Sequence, residues 1–333
     1  MKYALIDTMN GFFRARHIAS RSADSWTKVG MAIHLTLASV NMMVTRFKID
    51  HVVFCLEGHS WRKGFYEPYK KNRKVDEALL TEAEIEENKL FWETYEAFLE
   101  FLIKKTNVSV IRSPNAEADD VIARFIHLHP NDEHFIISSD SDYVQLISDN
   151  VSQYNGVSNH LITTEGYFND RGNPVKDKKT GMPKLLEDPQ YELFKKLVRG
   201  DSSDNVFSAY PGVREKGTKN KVGIREAYED RQRQGFNWNN FMLQSWVDHN
   251  DEQHRVLDDY NRNKTLIDLT AQPQEIKDEV DMDIYENVRT KVTPQVGIHL
   301  MKFCGKYELN RIADNAEGYA KWLNTPYKGS LYE

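Results

Sequence analysis

Hydrophobic positions in the first 140 residues follow two alternating periods. "KYALID" (2–7), "HVVFCL" (51–56), "VSVIR" (108–112) and "HFIISS" (134–139) are short apolar runs rich in β-formers. Between them, residues 27–47, 82–105 and 116–128 repeat apolar side chains at helical spacing. Strands alternating with helices predict an α/β class: a mostly parallel central sheet with helices on both faces. From about residue 189 onward the spacing is mostly helical, so a helical second region is expected. The stretch "DRGNPVKDKKTGMPKL" (170–185) carries Gly, Pro and Lys and predicts an exposed excursion.

In open parallel sheets, ligands sit beyond the carboxyl ends of the strands. Asp7 ends the first strand and Glu57 follows the second. Glu117, Asp119 and Asp120 follow the third, and Asp140 and Asp142 the fourth. Helix capping explains any one of these. Asn115 as an N-cap would make acids in the next turn worth under about 1 kcal/mol each. It does not explain four strand ends that each deliver a carboxylate to one edge. Asp201 and Asp204, in "VRGDSSDNV", add two more acids at a helix boundary. Hard carboxylate oxygens from several elements are what Mg²⁺ or Mn²⁺ requires, and a two-cation site needs many of them.

Composition refines this picture. The 333 residues, 40% hydrophobic and 28% charged, suit one large or two smaller globular domains, and no run approaches a membrane span. Two cysteines, Cys55 and Cys304, exclude a disulfide framework and a zinc cluster, and a reducing cytoplasmic location is expected. The net charge of −6 argues against a nucleic-acid partner until its distribution is considered. Without the nine acids named above it becomes +3. Residues 62–74, "RKGFYEPYKKNRK", hold Arg62, Lys63, Lys70, Lys71, Arg73 and Lys74 among aromatic rings, with an acidic block next. A solvated helical hairpin accounts for the charges alone. Phosphates and unpaired bases account for the rings as well.

Other acid-based chemistries fail on spacing. An EF-hand reading of "DSDYVQLISDNV" puts Leu146 where the loop needs Gly. A haloacid-type phosphatase or a proofreading exonuclease needs an acid where Met9 stands. No Gly-rich loop precedes a Lys-Ser/Thr pair, so nucleotide triphosphate hydrolysis has no support.

"LIDTMNGFFRARHIA", "EADDVIA", "ISSDSDYVQL" and "VRGDSSDNV" resemble, in order and spacing, the motifs of the 5′ nuclease (flap endonuclease) superfamily. The likeness is closest to the RNase H group of T-even-type bacteriophages, which has this fold rather than the RNase H fold. "YNRNKTLIDL" (260–269) is similar to the family's C-terminal helical region. The resemblance implies a PIN-like 5′ nuclease core over 1–188, with an arch or clamp at about 58–90, and a helical DNA-binding region over 189–333. It implies a Mg²⁺-dependent 5′→3′ exonuclease and flap endonuclease with two ions, Mn²⁺ being a possible substitute. Substrates would be flapped, nicked or forked duplex DNA and RNA–DNA hybrid, with RNA primers removed during lagging-strand synthesis.

By position, the resemblance assigns Asp7, Glu57, Glu117, Asp119 and Asp140 to a first cation. Asp142, Asp201 and Asp204 go to a second, with Asp120 close by. Lys70 would approach the scissile phosphate, Arg73 would make a second phosphate contact, and Tyr69 would stack. Arg14 would lie near the substrate phosphates, with Arg62, Lys63 and Lys71 in the arch. Lys216, Lys219, Lys221 and Arg225 would bind duplex phosphates. A replication single-stranded-DNA-binding protein would meet the C-terminal helices, and a monomer without membrane contact is expected.

Two departures stand out. Glu57 replaces the family's usual Asp, and "VFSAYPGVREKGTKNKVGIREAY" keeps only "PGV" of the helix-hairpin pattern. The competing reading is a structure-specific DNA-binding protein of the same fold with weak catalysis. A single-domain PIN-type ribonuclease would need a chain about half as long.

Overall fold

The structure, a computed structural model, describes residues 1–12, 24–72 and 81–330. The chain forms two compact units. One comprises Met1–Ser60, Leu80–Leu186 and Glu275–Glu333, and the other Trp61–Leu79 and Glu187–Gln274.

The first unit is built on a seven-stranded sheet in the order β3-β2-β1-β4-β5-β6-β7. Its strands are β1 (Lys2–Asp7), β2 (His51–Leu56), β3 (Ser109–Arg112), β4 (Glu133–Ile137), β5 (Val151–Asn155), β6 (His160–Thr163) and β7 (Gly166–Phe168). β3, β2, β1, β4 and β5 run parallel, and β6 and β7 add an antiparallel hairpin. The α/β class with a mostly parallel sheet is therefore observed. The register sets Asp7 opposite Cys55 and Ile6 opposite Ile137. Glu57 and Asp140 thus lie just past the same edge.

Helices α1 (Ser25–Phe47) and α2 (Glu82–Lys105) start at proper caps. Asp24 accepts the Thr27 amide at 2.8 Å, and Thr81 and Glu84 form a reciprocal capping box. Their apolar stripes bury Ile33, Leu37, Val40, Phe91, Phe98 and Leu102 against one sheet face. The later helices α9 (Val296–Lys306) and α10 (Ala316–Leu323) join that core through Leu300, Phe303, Trp322 and Leu323. Helix α3 (Ala118–Leu128) packs on β1, β2 and β3, and α8 (Gln274–Asn287) also belongs largely to this unit. The 170–185 excursion is largely exposed, pinned by isolated bridges at Phe168–Pro174 and Lys176–Pro183.

The second unit is mostly helical: α4 (Pro189–Arg199), α5 (Ile224–Asp230), α6 (Phe236–Met242) and α7 (Val256–Ile267). A two-stranded ribbon, β8 (Ser245–Val247) with β9 (Gln253–Arg255), interrupts them. Its cores gather Tyr191, Phe194, Val198, Phe241 and Met242, and Tyr69, Leu193, Leu197 and Leu266. Among the described residues, no helix is long and apolar enough to cross a membrane.

Candidate metal and nucleic-acid site

Asp7 ends β1 almost fully buried, where an ionised carboxylate is costly. Burial raises its carboxyl to about 6, and Asp140 pushes the same way. Opposing bonds come from the Asn10 amide at 3.2 Å, Ser138 Oγ at 2.9 Å and the Tyr143 hydroxyl at 3.3 Å. They do not offset the burial.

Tyr143 marks where the acids meet. Its phenol is pushed well above the usual range, first by burial and then by Asp7, Asp119, Asp140 and Glu57. These four carboxylates, from three strand ends and one helix start, therefore all act on one hydroxyl, which donates to Asp7. Glu57 reaches the start of α3, where the Ala118 amide donates to Glu57 Oε2 at 3.2 Å. Gly58 makes that approach possible. A Cβ there would stand 1.9 Å from the Ser113 carbonyl oxygen, and the Gly58 amide bonds the Ala116 carbonyl at 2.9 Å.

The start of α3 differs from the sequence expectation. Glu117, not Asn115, is the N-cap, and Asp120 Oδ2 accepts the Glu117 amide at 3.1 Å. Asn115 instead bonds Glu279 on α8. Glu117 and Asp120 are buried while Asp119 is partly exposed, as expected for residues on different faces of a first turn. Asp140 is exposed and caps the turn Ser141–Leu146, its Oδ1 accepting the Asp142 amide at 2.9 Å. Gln153 Nε2 holds the loop by donating to the Ser138 and Asp140 carbonyls. Ser138, Tyr143 and Gln153 were not expected from the sequence. Tyr143 stands three residues after Asp140 inside the same motif, the one signal that could have pointed to it.

This donor set suits a hard divalent cation: all carboxylate oxygen, with no histidine or thiolate, and one buried acid whose charge lacks compensation. The acids stand apart. Among the described residues, only Asp248, Glu252 and His254 bring three ligand atoms within 4.8 Å of one another. Wider spacing fits Mg²⁺, which keeps several waters between itself and protein oxygens.

Asp201 and Asp204 lie in the second unit, in the loop closing α4. Gly200 turns the chain there at φ 75°, and a Cβ would meet the Val206 carbonyl oxygen at 2.4 Å. Burial alone would raise the Asp201 carboxyl, but Lys196 at 2.7 Å and Ser203 hold it below the usual range. Asp204 Oδ2 accepts the Tyr69 hydroxyl at 3.0 Å and lies 3.7 Å from Lys70 Nζ. Lys70 sits at φ 52°, its amide on the Asp204 carbonyl at 2.8 Å.

Two arch expectations are corrected. Arg62 is fully buried, its Nε donating to the Leu266 carbonyl at 2.8 Å and its guanidinium over the Trp61 ring, so it offers no surface to a phosphate. Tyr69 is also buried, with its hydroxyl on Asp204, and presents no open face for a base. Lys63 and Lys71 are exposed, Lys71 pairing with Glu67. Arg14 and Arg73 fall outside the described residues. Lys216, Lys219 and Lys221 are exposed in the loop before α5, while Arg225 stacks on Tyr191 and faces Glu215.

A match to the family described as 5′-3′ exonuclease, N-terminal resolvase-like domain, spans residues 2–172. The chain belongs to that 5′-3′ exonuclease family. It is 26% identical over 232 residues to a 5′-3′ exonuclease of Buchnera aphidicola subsp. Baizongia pistaciae, covering 68% of this chain and 67% of that one. It is 29% identical over 185 residues to DNA polymerase I of Rhizobium leguminosarum, covering 54% of this chain but only 15% of the polymerase. For the 5′-3′ exonuclease of Aquifex aeolicus the values are 28% over 195 residues, with 57% and 56% covered. The fold is shared with the T5 5′-exonuclease bound to zinc, at TM-score 0.58 and 19% identity over 86% of this chain and 99% of that one. It is shared too with the T5 D15 flap endonuclease in a pseudo-enzyme-product complex with DNA and metal ions. There the TM-score is 0.54 and the identity 20%, over 86% and 98%.

Proposed function

We propose that this protein is a divalent-metal-dependent phosphodiesterase, a 5′→3′ exonuclease and flap endonuclease acting on flapped and nicked duplex DNA and on RNA–DNA hybrid. The observation that carries the reading is the convergence of Asp7, Glu57, Asp119 and Asp140 around Tyr143 at the carboxyl edge of a parallel sheet. Family membership and the DNA bound by the T5 relative support the same reading.

In this proposal the four acids hold the first cation, with Glu117 and Asp120 fixing water around it. Asp142, Asp201 and Asp204 serve a second. Bound Mg²⁺, or Mn²⁺ in its place, supplies activation of the attacking water and stabilisation of the leaving oxygen. Ser138 and Tyr143 orient Asp7. Lys70 and Arg73 neutralise charge on the phosphoryl oxygens, and Arg14, Lys63 and Lys71 contact the single-stranded 5′ end. Lys216, Lys219, Lys221 and Arg225 grip the duplex, so residues 189–333 include the DNA-binding part. Removal of RNA primers in phage-type replication, close to the T-even RNase H group, is the finer form of this reading.

The test is one cleavage assay with 5′-labelled flap, nicked and hybrid substrates, with and without Mg²⁺. Metal-dependent release of short 5′ products is expected. Metal-independent cutting, or none on any substrate, sinks the proposal.

A further inference from the structure

The ribbon β8–β9 gathers a different donor set, wholly within the second unit. Trp246 pairs with His254 across the two strands, and their rings stack with 4.4 Å between centroids. One step nearer the turn, the Asp248 amide donates to the Glu252 carbonyl at 3.0 Å. Side chains two apart on a strand share a face, so Asp248 and Glu252 fall on the face that carries Trp246 and His254. Ligand atoms of Asp248, Glu252 and His254 accordingly lie within 4.8 Å of one another.

The turn itself explains only part of this. Asp248 Oδ1 accepts the Asn250 and Glu252 amides, each at 2.9 Å, which closes the loop. Its Oδ2 accepts Asn250 Nδ2 at 3.3 Å and lies 3.7 Å from His254 Nε2. Closing the loop requires no carboxylate at Glu252, and like charges facing each other across a ribbon are destabilising. On the far side of the imidazole, Asp259 of α7 is 6% exposed, with its Oδ1 on Arg262 and its Oδ2 3.2 Å from His254 Nδ1. Among the described residues, neither His254 Nε2 nor Asp259 Oδ2 has a hydrogen-bond partner, though both atoms are buried.

A ligating histidine turns one ring nitrogen to the metal and the other to a carboxylate that fixes its tautomer. Asp259 stands where that carboxylate belongs, leaving Nε2 to face Asp248 and Glu252. Two donors of a tetrahedral cation with bonds of about 2.0–2.2 Å stand roughly 3.4 Å apart, close to the 3.7 Å between Nε2 and Asp248 Oδ2. The exposed Glu252 side chain can swing to complete the set. One imidazole with two carboxylates suits Zn²⁺, unlike the all-carboxylate sheet edge. The geometry points to a zinc site formed by Asp248, Glu252 and His254, with Asp259 positioning the imidazole. The ion staples a ribbon whose strands have three residues each, too short to be stable alone.

Zn²⁺ alone is titrated into the metal-stripped full chain by isothermal titration calorimetry, with thermal unfolding in EDTA as the folding control. Wild type is expected to bind one zinc ion that His254→Gln loses. Glu252→Gln, an exposed change that leaves the turn bonds intact, should weaken this ion at least about tenfold, the lower end of what losing even an outer partner costs. Asp119→Asn, at the sheet edge, should keep it. An imidazolium between Asp248 and Asp259 would satisfy the same acids without metal, and predicts no zinc uptake that depends on His254 or Glu252. That result overturns the inference, and so does a zinc ion lost in Asp119→Asn but kept in Glu252→Gln. Should His254→Gln fail to fold in EDTA, Glu252→Gln decides alone, and wild-type zinc affinity there overturns the site.

Discussion

The Tyr143 hydroxyl donates to Asp7 Oδ2 at 3.3 Å, joining the end of β1 to the turn after β4, with both side chains buried. Asp7 is the group this arrangement strains. Its carboxyl is raised to about 6 by burial, so without metal the folded protein holds a proton that the unfolded chain releases near pH 4. Asp7 therefore costs the apo protein stability progressively from about pH 4 to 6, and fully above. Asp7→Asn is expected to raise the unfolding free energy in EDTA at pH 7.5, by at most about 3 kcal/mol, and the midpoint with it, with the gain vanishing near pH 4. The same variant should lose metal-dependent cleavage. A midpoint below wild type at pH 7.5 rules this account out.

Histidines act in the opposite sense. His51 and His134, at the starts of β2 and β4, are held down to about 4 by burial, and His129 is lowered for the same reason. Each stays neutral when folded and charges near 6.5 when unfolded. Their contribution is complete above pH 6.5 and lost as pH falls toward 4, up to about 3 kcal/mol for each of the first two. In an Asp7→Asn background, where the opposing carboxyl is gone, urea unfolding should show stability falling steadily from pH 7 to 4.5. A flat profile would refute the assignment.

Gly58 has a sharper requirement. The Cβ of Gly58→Ala would collide with the Ser113 carbonyl oxygen, so β2's exit must move away from the 113–116 segment, at a cost of about 1–3 kcal/mol. Glu57 moves with it. Cleavage should fall at limiting Mg²⁺ and recover in part at high Mg²⁺, read as a higher half-saturating concentration. An unchanged metal requirement would separate Glu57's position from the site.

How much of this was legible depended on sequence distance. β1 and β2 lie where their apolar runs predict, because buried parallel strands read as continuous β-branched and aromatic stretches. The acids at their ends followed from the direction of the strands alone. The hairpin β6–β7 was not foreseen, since its strands are three or four residues long and carry polar residues such as His160 and Thr163. Arg62 and Tyr69 were misread for a different reason. Basic and aromatic residue types look alike whether they face a phosphate or a buried partner. Their partners, Leu266 and Asp204, lie far along the chain. Asn115 lost its capping role to a contact of the same kind, with Glu279.

The loop before α5 offers a test of the duplex grip that leaves the fold alone. Glu226 pins the loop by accepting the Gly217 and Gly223 amides, each at 2.9 Å, while Lys216, Lys219 and Lys221 are exposed, Lys216 also acting on the Glu226 carboxylate. Their exposed charges can displace counterions from a duplex. Each lysine that neutralises one phosphate adds about 0.9 to the slope of log affinity against log salt concentration. Replacing all three with alanine should lower that slope by roughly 2 to 3 on nicked duplex DNA, and weaken binding at low salt far more than at high salt. The unfolding free energy should stay within about 0.5 kcal/mol of wild type, as for exposed substitutions elsewhere. Binding that weakens equally at every salt concentration would mean that the three lysines act on something other than the phosphate backbone.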